Sequence, residues 1–221
     1  MDYNKTGIQY MQEGKYEEAA KAFSAAIEEN PNEALYYVNF GNLLSAVDEP
    51  EKAIRFYQKA LEITPTIATA YYGMGNVYYN LGDFQKAKEH FETANKHGLE
   101  NSDTFFMLGM TLQQMEQDKL SLVYLQRAVE LNEEDTEARF QLGLSLAGQS
   151  FIDEAIEQFI EVTTRNPSHA DAFYNLGVAY AGYKEDAEKA LEMFNKALEI
   201  QPTHALAHNG KQIVESALSE Q

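Results

Sequence analysis

Along the chain, apolar side chains recur three and four residues apart, as in Phe105, Leu108 and Leu112. That spacing gathers them on one face of an α-helix, whereas a strand would alternate them between two faces. Glycines fall at Gly7, Gly41, Gly75, Gly109, Gly143 and Gly177, and every consecutive interval is 34 residues. The positions four before, one before and three after each glycine are mostly apolar, so each glycine sits within a helical face. Twelve residues on comes a small residue, namely Ala19, Ala53, Ala87, Ser121 and Ala155, with Ala190 thirteen after Gly177. Four further on stands a large apolar one: Phe23, Tyr57, Phe91, Leu125, Phe159 and Phe194. Prolines close four units at Pro31, Pro65, Pro167 and Pro202. The pattern predicts that each unit is a pair of antiparallel helices, each about 14 residues and about 20 Å long. Gly and Ala at the helix crossings let the two backbones approach closely. The pair Gly73 and Gly75 is no dinucleotide turn, because a helix end and a proline turn precede it and Tyr78 replaces the third glycine.

The unit Tyr71-x-x-Met74-Gly75-x-x-Tyr78, continued by Ala87-x-x-x-Phe91, resembles the tetratricopeptide repeat (TPR). Six copies run over about 1–33, 34–67, 68–101, 102–135, 136–169 and 170–204, followed by a capping helix over about 205–219. The resemblance implies an all-α fold, a right-handed α-solenoid of six TPR hairpins forming a single superhelix over 1–221. The third and fourth units have Leu99 and Glu133 in place of proline, and the sixth carries one extra residue within AGYKED. In the cap, the positions equivalent to hairpin-facing ones are polar: His208, Lys211 and Glu215. Leu206, Ala207, Ile213, Val214 and Ala217 are expected to pack back on the sixth unit, giving the polar-faced end a solenoid needs.

The resemblance also places binding on a concave groove lined by the first helix of every hairpin. Residues at minus six, minus three, minus two, plus one and plus five from the ladder glycines share a face distinct from the core face. At minus six stand three successive acids, Asp103, Glu137 and Asp171. At minus three runs an aromatic row of Tyr72, Phe106, Phe140 and Tyr174. Amides collect as Asn39, Asn42, Asn76 and Asn80, with Gln114, Gln141 and Asn175 later, and Met107 and Met110 add a soft apolar patch. Acids near a helix start are favoured by the macrodipole alone, and an aromatic row also serves helix packing. Asparagine inside a helix costs propensity, so four on one face call for a ligand: an amide donates and accepts, and so holds an extended peptide backbone.

Charge narrows the partner. The net charge is -18 with an isoelectric point near 4.6, which opposes binding to nucleic-acid backbones. Lys5 is the only basic residue at a groove position of the six hairpins. Some TPR proteins clamp a free carboxylate between Lys, Asn and Arg, but here Asn39 and Asn42 stand without the basic members. The expected partner is therefore a neutral-to-basic peptide or protein, with no nucleic acid and no membrane.

Catalysis finds no foothold. The chain has no cysteine, and His90, His97, His169, His204 and His208 all lie off the groove face. Only His204 and His208 share a helix face, without a third ligand, so neither metal nor other cofactor is expected. Gly143-Leu144-Ser145-Leu146-Ala147 follows no strand and is not a nucleophile elbow. The reading is a non-catalytic cytoplasmic adaptor or scaffold. The alternative is an assembly protein that self-associates through repeat ends or its convex surface.

Overall fold

The computed structural model describes residues 2–219, which form helices and no strand. In order these are α1 (Tyr3–Gln12), α2 (Tyr16–Glu29), α3 (Ala34–Ala46), α4 (Pro50–Ile63), α5 (Ala68–Asn80), α6 (Phe84–Lys96), α7 (Ser102–Gln114), α8 (Asp118–Leu131), α9 (Thr136–Gly148), α10 (Ile152–Arg165), α11 (Ala170–Gly182), α12 (Ala187–Ile200) and α13 (Ala205–Ser219). Odd-numbered helices up to α11 carry the ladder glycines; the packed hairpins are α1–α2, α3–α4 and α5–α6 in one part of the chain and α9–α10 and α11–α12 in the other, and α13 packs on α12 as the cap. The chain divides into two units, Met1–Gln117 and Asp118–Gln221, parted between α7 and α8.

The ladder glycines accommodate rings. A Cβ built at Gly75 would lie 2.6 Å from Phe91 Cε1, and those at Gly7, Gly41, Gly143 and Gly177 would meet Phe23, Tyr57, Phe159 and Phe194 at 2.5–2.6 Å. It is therefore the second-helix aromatic ring that claims the space, more than a backbone-to-backbone approach. The same ring can reach the next repeat: a Cβ at Gly73 would stand 2.5 Å from Tyr57 Cζ, and one at Gly210 of α13 would stand 2.7 Å from Phe194 Cζ. Phe23, Phe91, Phe159 and Phe194 are buried, as is Tyr57, which makes each ring a shared core for two helices.

Three further registers recur. Four residues before the ladder position, the Tyr37 and Tyr71 hydroxyls donate to the carbonyls of Pro31 and Pro65 at 3.0 and 3.1 Å. Arg139 takes that place in the fifth repeat, donating from Nη2 to Glu133 O at 3.1 Å, and His208 Nε2 reaches Pro202 O at 2.9 Å in the cap. Each side chain ties its helix to the turn that introduces it. Eight residues before the ladder position lies the N-cap: Asn101 accepts from Thr104 N–H, Asp135 from Ala138 N–H, His169 from Ala172 N–H and His204 from Ala207 N–H. The turn joining first helix to second has one residue at positive φ in every hairpin, namely Gly14, Asp48, Gly82, Glu116, Ser150 and Glu185. Only two of the six are glycine, although the left-handed region favours it.

The cap departs from expectation. Ala207 and Val214 are buried on the sixth repeat, but Leu206 and Ile213 are 58% and 60% exposed, and Ala217 is exposed as well. The reason is helical rotation. A step of about 100° per residue turns Leu206 and Ile213 away from the stripe centred on Ala207 and Val214. The surface left outward is therefore partly aliphatic.

Candidate functional site

In the first unit the predicted groove amides are largely engaged within the protein. Asn39 Nδ2 donates to Asn4 Oδ1 at 2.8 Å, tying α3 to α1. Asn42 Oδ1 accepts the Tyr57 hydroxyl at 2.8 Å, so it completes the only one of the rings Phe23, Tyr57 and Phe91 beneath the ladder glycines that carries a polar atom. Asn76 lies one helical turn from Tyr72, close enough to favour the ionised form of its hydroxyl. Asn80 and Asp103 are exposed, whereas Phe106, Met107 and Met110 are half-buried. Tyr72 packs over Phe91 with ring centroids 5.5 Å apart. Burial holds its hydroxyl pKa above the usual tyrosine range, the neighbouring Asn76 amide opposes that rise, and the charge of Asp103 adds to it. Asp103 thus stands within electrostatic reach of the preceding repeat's aromatic.

In the second unit the aromatic row is mostly packing. Phe140 is buried against Phe159 and the His169 ring, with centroids 5.8 and 4.5 Å away. Tyr174 is half-buried between Phe194 at 6.0 Å and His204 at 5.1 Å. The acids divide. Glu137 is exposed and accepts from Gln141 Nε2 at 2.8 Å. Asp171 Oδ1 lies 3.0 Å from Nε2 of the buried His204. Since His204 Nδ1 accepts the Ala207 N–H, Nε2 carries the proton and donates to Asp171. Asp171 therefore fastens α13 as well as facing outward, and Asn175 Nδ2 donates to its carbonyl at 2.8 Å.

The same register carries two columns of apolar and small residues beside the polar positions. With the extra residue of the sixth repeat, the ladder position of α13 is Gln212. At plus one the second unit then has Leu144, Val178 and Ile213, and at plus five Gly148, Gly182 and Ala217. The signal was the 34-residue period itself, carried one step into the cap. On the second-helix side of this unit, a cleft of 540 Å³ between α8, α9 and α10 is lined by Glu130, Glu133, Glu154, Glu157 and Glu161 beside Arg139 and Arg165. Among the described residues no three His, Asp or Glu are grouped to hold a metal ion, and no helix is long and apolar enough to cross a membrane.

Family models described as "TPR repeat" match residues 49–82, and those described as "Tetratricopeptide repeat" match 2–33, 68–97, 102–135 and 140–205. The crystal structure of YrrB, described as a TPR protein with an unusual peptide-binding site, is 58% identical with a TM-score of 0.77, covering 87% of this chain and 99% of that one. The chain belongs to the tetratricopeptide repeat family. A TPR repeat-containing protein YrrB of Bacillus subtilis (strain 168) is 63% identical over 41 residues, a stretch that spans 19% of this chain and 20% of that relative. A structure from the characterisation of Pseudomonas aeruginosa pilF shares the fold at a TM-score of 0.83 and 21% identity, covering 97% of this chain and 96% of that one. Tetratricopeptide repeats mediate protein–protein interaction.

Proposed function

We propose that this protein is a non-catalytic adaptor whose first-helix face holds an extended, neutral-to-basic segment of a partner protein in the cytoplasm. The observation that carries the reading is the charge of that face. In the first unit Asp103 is exposed; in the second Glu137 is exposed and Asp171 keeps 63% of its side-chain surface open while bound to His204; and Lys5 is the sole cation at the groove positions of the six repeats. A cationic segment meets complementary potential there, and an acidic one meets none. YrrB, as a TPR protein with a peptide-binding site, supports peptide capture as the mode.

The test is a comparison of charge variants. Asp103→Asn with Glu137→Gln should weaken binding of a captured basic segment and flatten its salt dependence, with no loss of melting temperature, because neither carboxylate bridges two repeats. Unchanged affinity at low salt would reduce both acids to helix-start chemistry. Self-association is the second reading, favoured by the exposed Leu206, Ile213 and Leu218 of α13. A charge of -18 on every copy opposes it.

A further inference from the structure

Gly148 and Gly182 end α9 and α11 in ordinary helical conformation, and a Cβ added to either would meet nothing within 4 Å. Neither backbone geometry nor packing asks for glycine there, in contrast with Gly14 and Gly82 at positive φ and with the ladder glycines under aromatic rings. Beside them, one turn earlier, stand Leu144 and Val178, and the cap continues both columns with Ile213 and Ala217. Val178 is 38% exposed and Ile213 60%, and Leu206 lies on the same face of α13. At the cap end the columns open into a pocket of 320 Å³ lined by Gly182, Ala181, Ile213, Val214, Ala217 and Leu218. This is an aliphatic furrow whose floor is kept low by small residues. It is also the part of the cap that rotation leaves unburied.

We propose that this furrow receives aliphatic side chains of the basic partner segment, spaced about three residues apart. The proposal rests on the groove reading above and deepens it. The spacing follows from geometry: neighbouring packed helices lie about 8–10 Å apart, and a segment in the extended polyproline II conformation advances about 3.1 Å per residue with about three residues per turn, so every third side chain returns to the same face about 9 Å on and matches successive furrow sites over α9, α11 and α13. These helices are neighbours in turn, since Phe140 of α9 packs on His169 before α11 and Asp171 of α11 bonds His204 before α13. Charge complementarity selects the occupant. Glu137 and Asp171 flank the columns at minus six, and exposed Glu185 rims the pocket. Lys184, the nearest cation in sequence, is engaged by Asp153. Lysines or arginines between the aliphatic residues thus face carboxylates, whereas a second copy of this acidic chain brings like charge.

The probes are three fluorescently labelled nonapeptides: one with leucine at every third position and lysine elsewhere, an isomer of identical composition with the leucines adjacent, and one with serine replacing leucine. Anisotropy titration of the full chain should show the spaced peptide binding at least tenfold more tightly than its isomer, which has the same charge. Gly182→Leu, which fills the furrow without straining the backbone and adds helix propensity, should erase that preference while the melting temperature holds or rises. Equal affinity for spaced and clustered isomers, or an unaltered preference in Gly182→Leu, overturns the furrow. If the serine peptide then binds as well as the leucine ones and weakens on Glu137→Gln, the groove reading stands alone; if no peptide binds, both fall. Light scattering supplies the remaining arm: an oligomer that Ile213→Ser converts to monomer would assign the furrow to a second copy and overturn the peptide.

Discussion

Replacing Asn42 by alanine separates binding from stability more sharply than any other amide change. Asn42 is exposed, yet its Oδ1 accepts the hydroxyl of Tyr57, a residue only 1% exposed. Asn42→Ala leaves that hydroxyl without its partner, which costs about 1–3 kcal/mol for a buried group. Alanine returns up to about 0.7 kcal/mol of helix propensity. The net expectation is a loss of about 1–2 kcal/mol, or roughly 2–8 °C in melting temperature at this chain length. Tyr57→Phe removes the hydroxyl and restores the ring present at Phe23, Phe91, Phe159 and Phe194, so in that background Asn42→Ala should be neutral to slightly stabilising. Urea denaturation of the four proteins closes a double-mutant cycle, and the coupling should be about 1 kcal/mol or more. A coupling within about 0.3 kcal/mol would refute the assignment of Asn42 to the hairpin core and return it to the ligand. Alkaline titration checks the same environment. Burial raises the Tyr57 pKa above that of an unfolded tyrosine, so this group's contribution is intact below about pH 10 and is lost as pH rises beyond it; Tyr57→Phe should soften that alkaline loss.

Three further outcomes follow from the registers. Glycine at Asp48, Glu116, Ser150 or Glu185, each at positive φ, should raise stability by about 1 kcal/mol per site by relieving the left-handed penalty; a drop in urea midpoint at these sites would show that the side chain holds the turn. Gly75→Ala places a methyl group 2.6 Å from the Phe91 ring and should cost about 1–3 kcal/mol through overpacking, with near-ultraviolet circular dichroism reporting the displaced aromatic; an unchanged melting curve would deny the ring that space. His204→Ala removes both the α13 N-cap and the Asp171 bond, so amide exchange in α13 should quicken by roughly tenfold or more, for a loss of about 1–2 kcal/mol; exchange that speeds equally in α9 and α11 would count against a local clasp.

Much of this protein was legible in its residues because a tandem repeat writes its contacts at a fixed period. The 34-residue glycine ladder with its following Ala and Phe columns specified helical hairpins, their order and their core face, since a ring of fixed size over a residue without a side chain leaves one way to pack. Helical periodicity also drew an expected outward face, of which Asp103 and Glu137 are exposed while Phe140 is buried in packing. What each polar group on it does was decided only by tertiary structure. Asn39 and Asn42 look alike in sequence, yet their partners are Asn4 and Tyr57. Asp171 resembles Glu137 until His204, 33 residues away, is brought beside it. The cap shows the same limit, because burial of Ala207 and Val214 and exposure of Leu206 and Ile213 depend on the rotation at which α13 seats. Local pattern determines which face of a helix is apolar. The orientation of a donor toward its acceptor across repeats is set by the docking of one helix on another, and no period along the chain encodes it.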